Sequence, residues 1–184
     1  MPNHVHLVVV PSTSDGLHRA MRAIHGRYAR RVNRTKDRVG HLWQNRYFSS
    51  PLDSDYFLNA VRYVERNPVK ARLVERAEDY EWSSAAAHCG RRDDPLVGAR
   101  PRSVIFGGII NWSTWLSAGF SEEREATLRR HTHQNLPCGS PAFVADLERT
   151  AGRPLQYQRR GRPPKRNESR EVDIPFLEKT NVPA

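Results

Sequence analysis

The stretch His4-Val5-His6-Leu7-Val8-Val9-Val10, closed by Pro11, constrains the fold more than any other part of this chain. It is rich in β-branched residues, which suit a pleated, packed backbone. Period 2 puts His4, His6, Val8 and Val10 on one face and Val5, Leu7 and Val9 on the other. Apolar residues on both faces predict a central strand covered on both sides. The polar exception is the His pair at its start. Burying two imidazoles unpaired is costly, so they need a partner or a ligand. At i and i+2 they project from the same face about 7 Å apart, so both rings can converge on one divalent cation. An incidental or structural His-x-His is the alternative.

Further along, Ser12-Thr13-Ser14-Asp15 offers N-cap residues for a helix to about Val32, with Leu17, Ala20, Met21, Ile24 and Tyr28 as its core stripe. Between Arg19 and Arg38 lie eight basic residues and one acid, Asp37. A second strand is expected over His41 to Ser49. Asp53-Ser54-Asp55 then caps a helix from about Tyr56 to Arg66, striped by Phe57, Ala60, Val61 and Val64, and Pro68 predicts its end at Asn67. Tyr63 and Asn67 share one face of that helix, one turn apart. They read equally as a half-buried tyrosine with a helix-end asparagine, or as functional groups.

Ser121-Glu122-Glu123 opens another helix with Arg129 and Arg130 in its last turn. Ser140-Pro141 opens a third, striped by Phe143, Val144 and Leu147 and stopped by Gly152. The expected organisation is a folded unit over 1–90, a linker or irregular stretch over 91–120, a helical pair over 121–152, and a disordered tail over 153–184, basic and then acidic.

Composition narrows the function. The 184 residues hold 30 Lys+Arg against 20 Asp+Glu, a net charge of +10, which favours a polyanionic partner. Cys89 and Cys138 are too few for a disulfide scaffold, and a cytoplasmic setting is expected. The longest apolar run, Leu7 to Val10, is far short of the ~20 residues of a membrane span.

Five motifs carry a resemblance. Met1-Pro2-Asn3-His4-Val5-His6-Leu7-Val8 resembles the His-hydrophobe-His signature of the HUH single-tyrosine, IS200-like transposases. Tyr63-Val64-Glu65-Arg66-Asn67-Pro68-Val69-Lys70 is similar to their nucleophile helix, in the REP-associated tyrosine transposase branch. Gly40-His41-Leu42-Trp43-Gln44-Asn45-Arg46-Tyr47 and Tyr80-Glu81-Trp82-Ser83-Ser84 are similar to that branch too, as is Gly139-Ser140-Pro141-Ala142-Phe143-Val144 downstream. The resemblance implies an α+β fold: a truncated antiparallel HUH/ferredoxin-like sheet with helices on it, followed by a mainly helical basic C-terminal region. It implies that His4, His6 and Asn67 hold Mg²⁺ or Mn²⁺ and that Tyr63 is the nucleophile. The substrate implied is single-stranded DNA with hairpins, cleaved and rejoined through a 5′-phosphotyrosine intermediate in a nucleoid-associated protein. Glu65 and His41 are conceivable general bases.

DNA contacts are expected from Arg19, Arg22, Arg30 and Arg46, and from Arg160 and Arg162, where Arg160-Gly161-Arg162-Pro163 resembles an AT-hook. Trp43 and Tyr47 are candidate base-stacking residues, although core packing is the expectation for Trp43 and Trp82. Family members carry a strand, helix and strand ahead of the His pair, so the chain is expected to lack an N-terminal segment and to leave an exposed sheet edge. Two alternatives remain: a catalytically impaired DNA-binding remnant, and a histidine-triad-like phosphohydrolase, in which Val8 would stand where the third His belongs. Monomer and homodimer stay equally open.

Overall fold

A computed structural model describes residues 3–97, 107–118 and 121–157. Six α-helices are formed among them: α1 (Gly16–Thr35), α2 (Ser54–Lys70), α3 (Ala85–His88), α4 (Trp112–Ser117), α5 (Glu122–Gln134) and α6 (Pro141–Ala151), with a 3₁₀ turn at Ala77–Asp79. None of them is long and apolar enough to cross a membrane.

Helix α2 is the hub, packing on the 3₁₀ turn, α4 and α5. One side meets Ala77, Ala85, Trp112 and Leu116 through Val61; the other joins Leu128 of α5 and Cys138 through Ala60. Val8 packs against both clusters and so pins the N-terminal segment onto the hub. Asp53 explains where two helices begin. Its Oδ1 accepts from the N–H of Tyr56 at 2.9 Å and caps α2, while Oδ2 accepts from the N–H of Ser140 at 2.7 Å, just before α6. Ser140 caps α6 in turn, accepting from the N–H of Phe143. Gly139 permits this convergence: a Cβ there would lie 2.3 Å from the Phe143 ring and 2.8 Å from Asp53 Oδ2.

The expected sheet is overturned. No β-ladder exists among the described residues, whose sole β-type pairing is an isolated parallel bridge between Leu52 and Cys138. A strand holds its shape through ladder hydrogen bonds to a neighbour, and the His4–Val10 segment has none. Its alternation nevertheless survives in part: His6 and Val8 are half-buried, while Val5, Leu7 and Val9 are exposed. The second expected strand, His41 to Ser49, is a loop. Its Trp43 instead packs on α1, stacking on His25 at 4.2 Å and donating its Nε1–H to the His25 carbonyl at 3.1 Å.

Other expectations change as well. Of the predicted α1 stripe only Met21 is buried, and Ile24 and Tyr28 are exposed, because α1 packs mainly against the following loop and not against the hub. Pro68 does not end α2 at Asn67. The helix runs through it to Lys70, with Pro68 buried and the N–H of Ala71 returning to the Asn67 carbonyl at 2.9 Å. Trp82 is 79% exposed, not core. Trp112 and Leu116, from the stretch expected to be linker, are buried in the hub.

Candidate active site

The hub positions the candidate residues Tyr63 and, through Val8, His6. Tyr63 lies on the α2 face that meets Val8, Leu52, Leu128 and Cys138. Because Val8 is anchored there, His6, two residues earlier, is drawn over the same face. The His6 ring meets the Tyr63 ring edge-on at a centroid separation of 5.6 Å. The His4 ring meets His6 at 5.0 Å and 88°. The three rings thus form a chain of contacts between elements almost sixty positions apart in sequence.

Two details set the chemistry of the imidazoles. Asn3 Oδ1 accepts from His4 Nδ1–H at 2.7 Å, which leaves His4 Nε2 with the free lone pair. Burial pushes the pKa of His6 below its ordinary value, and the neighbouring His4 and His133 push the same way. A neutral imidazole is the form that binds a cation or accepts a proton. Among the described residues the Tyr63 hydroxyl has no hydrogen-bond partner within the protein, and Asn67 Nδ2 is buried without one. Asn67 is 9% exposed, one turn beyond Tyr63 on α2.

The opposite face of α2 is closed. Glu65 is 1% exposed; its Oε1 accepts from Ser84 Oγ at 2.5 Å and from His88 Nδ1 at 2.6 Å, and its Oε2 from Trp112 Nε1 at 2.7 Å. Two positions along a helix separate it from Tyr63 by about 200°, so it is a core carboxylate and not the general base. His41 is an exposed loop residue.

The remaining expected residues form other groups. Arg19, Arg22 and Arg30 line a groove on α1, and Arg46 lies exposed in the loop that follows. Arg160 and Arg162 lie outside the described residues. The structure brings no cluster of three or more His, Cys, Asp or Glu together among the described residues. The third donor named from the sequence, Asn67, is an amide. Sequence reasoning missed Asn3, whose signal was its place directly before His4. It also missed His133 near the end of α5, which nothing local in the sequence connects to His6.

Comparison with known proteins finds similarity in the first part of the chain. The family model described as "Transposase IS200 like" matches residues 1–67. A protein of Haemophilus influenzae described as "Putative REP-associated tyrosine transposase" is 28% identical over 95 residues, which is 46% of this chain and 54% of that protein. The chain therefore spans about half the length of that relative. No solved structure matches. Both His4–His6 and Tyr63–Asn67 fall within the family match, and residues 1–67 are similar to the IS200-like transposases.

Proposed function

We propose that the chain is a DNA strand transferase in which Tyr63 attacks a phosphodiester of single-stranded DNA carrying hairpins. The edge contact of His6 with Tyr63 carries this reading, because it sets a phenol beside a ring whose burial keeps it neutral. The residues also suit a divalent cation such as Mg²⁺ or Mn²⁺ held by His4, His6 and Asn67. Two imidazoles on adjacent corners of one ion have ring centroids about 4.5–5 Å apart, from metal–nitrogen distances near 2.1 Å, and His4 and His6 are at 5.0 Å. Asn67 would offer its amide oxygen to the ion, while its Nδ2, buried without a partner among the described residues, is a donor suited to a phosphate oxygen. A bound ion would supply Lewis-acid polarisation of the scissile phosphate.

Attack by Tyr63 Oη forms the phenolic O–P bond of a 5′-phosphotyrosine and breaks the P–O3′ bond. The phenolic proton leaves to a base or water, and the departing 3′ oxygen takes one up. A DNA 3′-OH then attacks the phosphotyrosine, restoring a phosphodiester and returning the proton to Tyr63. One ester replaces another at each step, so no nucleotide triphosphate is consumed.

The test is incubation with a labelled hairpin oligonucleotide and Mn²⁺, followed by denaturing electrophoresis. A covalent adduct is expected, absent from Tyr63→Phe while DNA binding persists. An adduct in Tyr63→Phe overturns the nucleophile. The absence of ladder bonds around the His pair favours a second reading, a DNA-binding protein without transfer chemistry. Salt-sensitive binding with no adduct would establish it.

A further inference from the structure

On α1, four arginines surround two small residues. Arg19, Arg22, Ala23, Gly26, Arg27 and Arg30 line an open groove of about 410 Å³. Arg22, Gly26 and Arg30 follow one another at steps of four, and Arg19, Ala23 and Arg27 do the same alongside, so each row runs along the helix. Four guanidinium groups therefore flank a floor made of a methyl group and bare backbone. No acidic residue occurs within α1, and Arg19 alone of the four has an acidic neighbour, the solvated Asp15 at 3.7 Å.

The groove also points the right way. Its floor at Gly26 is about 140° around the helix from Met21, the buried residue of α1. Trp43 covers a different flank, on His25 and Tyr28. From Arg22 to Arg30 the helix rises about 12 Å, the length of three to four nucleotide steps along a duplex strand. Like charges one turn apart destabilise a helix, so this concentration of arginine serves something other than folding.

We infer that this groove is a phosphodiester-binding site, separate from the His6–Tyr63 contact, in which a DNA backbone lies over Ala23 and Gly26 among the four arginines. This rests on DNA being the substrate, as proposed above. Guanidinium forks suit phosphate oxygens, and a floor without side chains lets one strand approach closely enough for both rows to reach it. Such contacts hold and orient a strand without reading its bases. At Gly26 an added Cβ would sit 3.4 Å from an Arg30 guanidinium nitrogen, an ordinary contact, so alanine fits where leucine would fill the floor.

The experiment measures anisotropy with a labelled hairpin, an unstructured oligonucleotide of equal length, and, as a competing polyanion, phosphatidylglycerol vesicles. The double variant Arg22→Ala/Arg30→Ala should bind DNA at least about tenfold more weakly and flatten the salt slope by one to two. Gly26→Leu, with charge unchanged, should weaken binding at least about fivefold, and Gly26→Ala should stay within about twofold. Both substitutions raise helix propensity, so circular dichroism should show α1 intact. A loss confined to the hairpin assigns the groove to a duplex stem; an equal loss on both oligonucleotides assigns it to a single strand.

The inference is overturned if Gly26→Leu binds DNA as the unsubstituted protein does, or if the salt slope of the double variant does not change. It also fails if the variants lose vesicle binding while keeping DNA. The adduct assay separates this site from the transferase reading. Groove-dependent binding with no Tyr63 adduct leaves the groove standing and ends the transferase proposal. An adduct indifferent to the groove variants at every DNA concentration does the reverse.

Discussion

The two faces of α2 make opposite use of polar side chains. On one, Glu65 is buried to 1% exposure and accepts three hydrogen bonds, from Ser84, His88 and Trp112. On the other, the Tyr63 ring meets His6, which in turn meets His4, and Asn67, one turn along the helix, keeps a buried amide nitrogen without a partner among the described residues. A fully satisfied carboxylate contributes to stability and has nothing left to offer a ligand. Unsatisfied groups cost stability and are kept where something outside the protein completes them. Helix α2 thus anchors the fold with one side and leaves the other for the transfer chemistry proposed above.

The sharpest way to break this contrast is to remove one group from each side. Tyr63→Phe should lower covalent adduct formation by at least about 10³-fold, while its unfolding free energy by urea titration stays within about 0.5 kcal/mol of the unsubstituted protein. Glu65→Ala should do the opposite to folding. It removes the shared acceptor of three hydrogen bonds, two of them from buried side chains, and should cost about 3–5 kcal/mol by denaturant titration. If Glu65→Ala folds as stably as the unsubstituted chain, the anchoring face has been misassigned.

Asn67→Leu sharpens the comparison on the open side. Replacing an amide whose nitrogen has no partner should leave stability unchanged or raise it by about 1 kcal/mol. Mn²⁺ affinity, read by electron paramagnetic resonance, should fall at least about tenfold. A large loss of stability in this variant would mean that the amide is structural.

The smaller effects concern pH. Burial by itself would raise the pKa of Glu78, but hydrogen bonds from Ser113, its own backbone N–H and Arg76, with the charge of Arg76, hold it below its ordinary value. A carboxyl lowered in the folded state stabilises the protein above its unfolded pKa of about 4.3 and loses that contribution as pH falls through the folded value. Ser113→Ala should therefore move the acid unfolding midpoint upward. Smallest is the response of His6, which burial, then His4, then His133 keep neutral. In His133→Ala, NMR titration should find His6 titrating at a slightly higher pH than in the unsubstituted protein.

What could be read from the sequence follows the range of the interactions involved. The Asp53 and Ser140 caps, the αL stop at Gly152 and the shared face of Tyr63 and Asn67 are local, and the structure has each in place. The sheet was not legible in the same way. Seven residues of β pattern name a strand only if a neighbour supplies the ladder, and His4–Val10 has none among the described residues. Pro68 misled because burial of its ring outweighed the usual bias of the preceding residue, so Asn67 stayed helical. Glu65 looked available as a base because its three donors come from positions 84, 88 and 112, which no local pattern links to it. Arg22 and Arg30 were legible as basic, but the groove they share across Gly26 needed the helix to be built.

The most direct test of the central claim is to trap the protein on a hairpin oligonucleotide, digest both components and map the residual nucleotide by mass spectrometry. The account predicts a phosphonucleotide on the peptide containing Tyr63, joined to that residue through the 5′-phosphate of the fragment downstream of the cut. A nucleotide on any other residue, or cleaved DNA with both ends free, would contradict it.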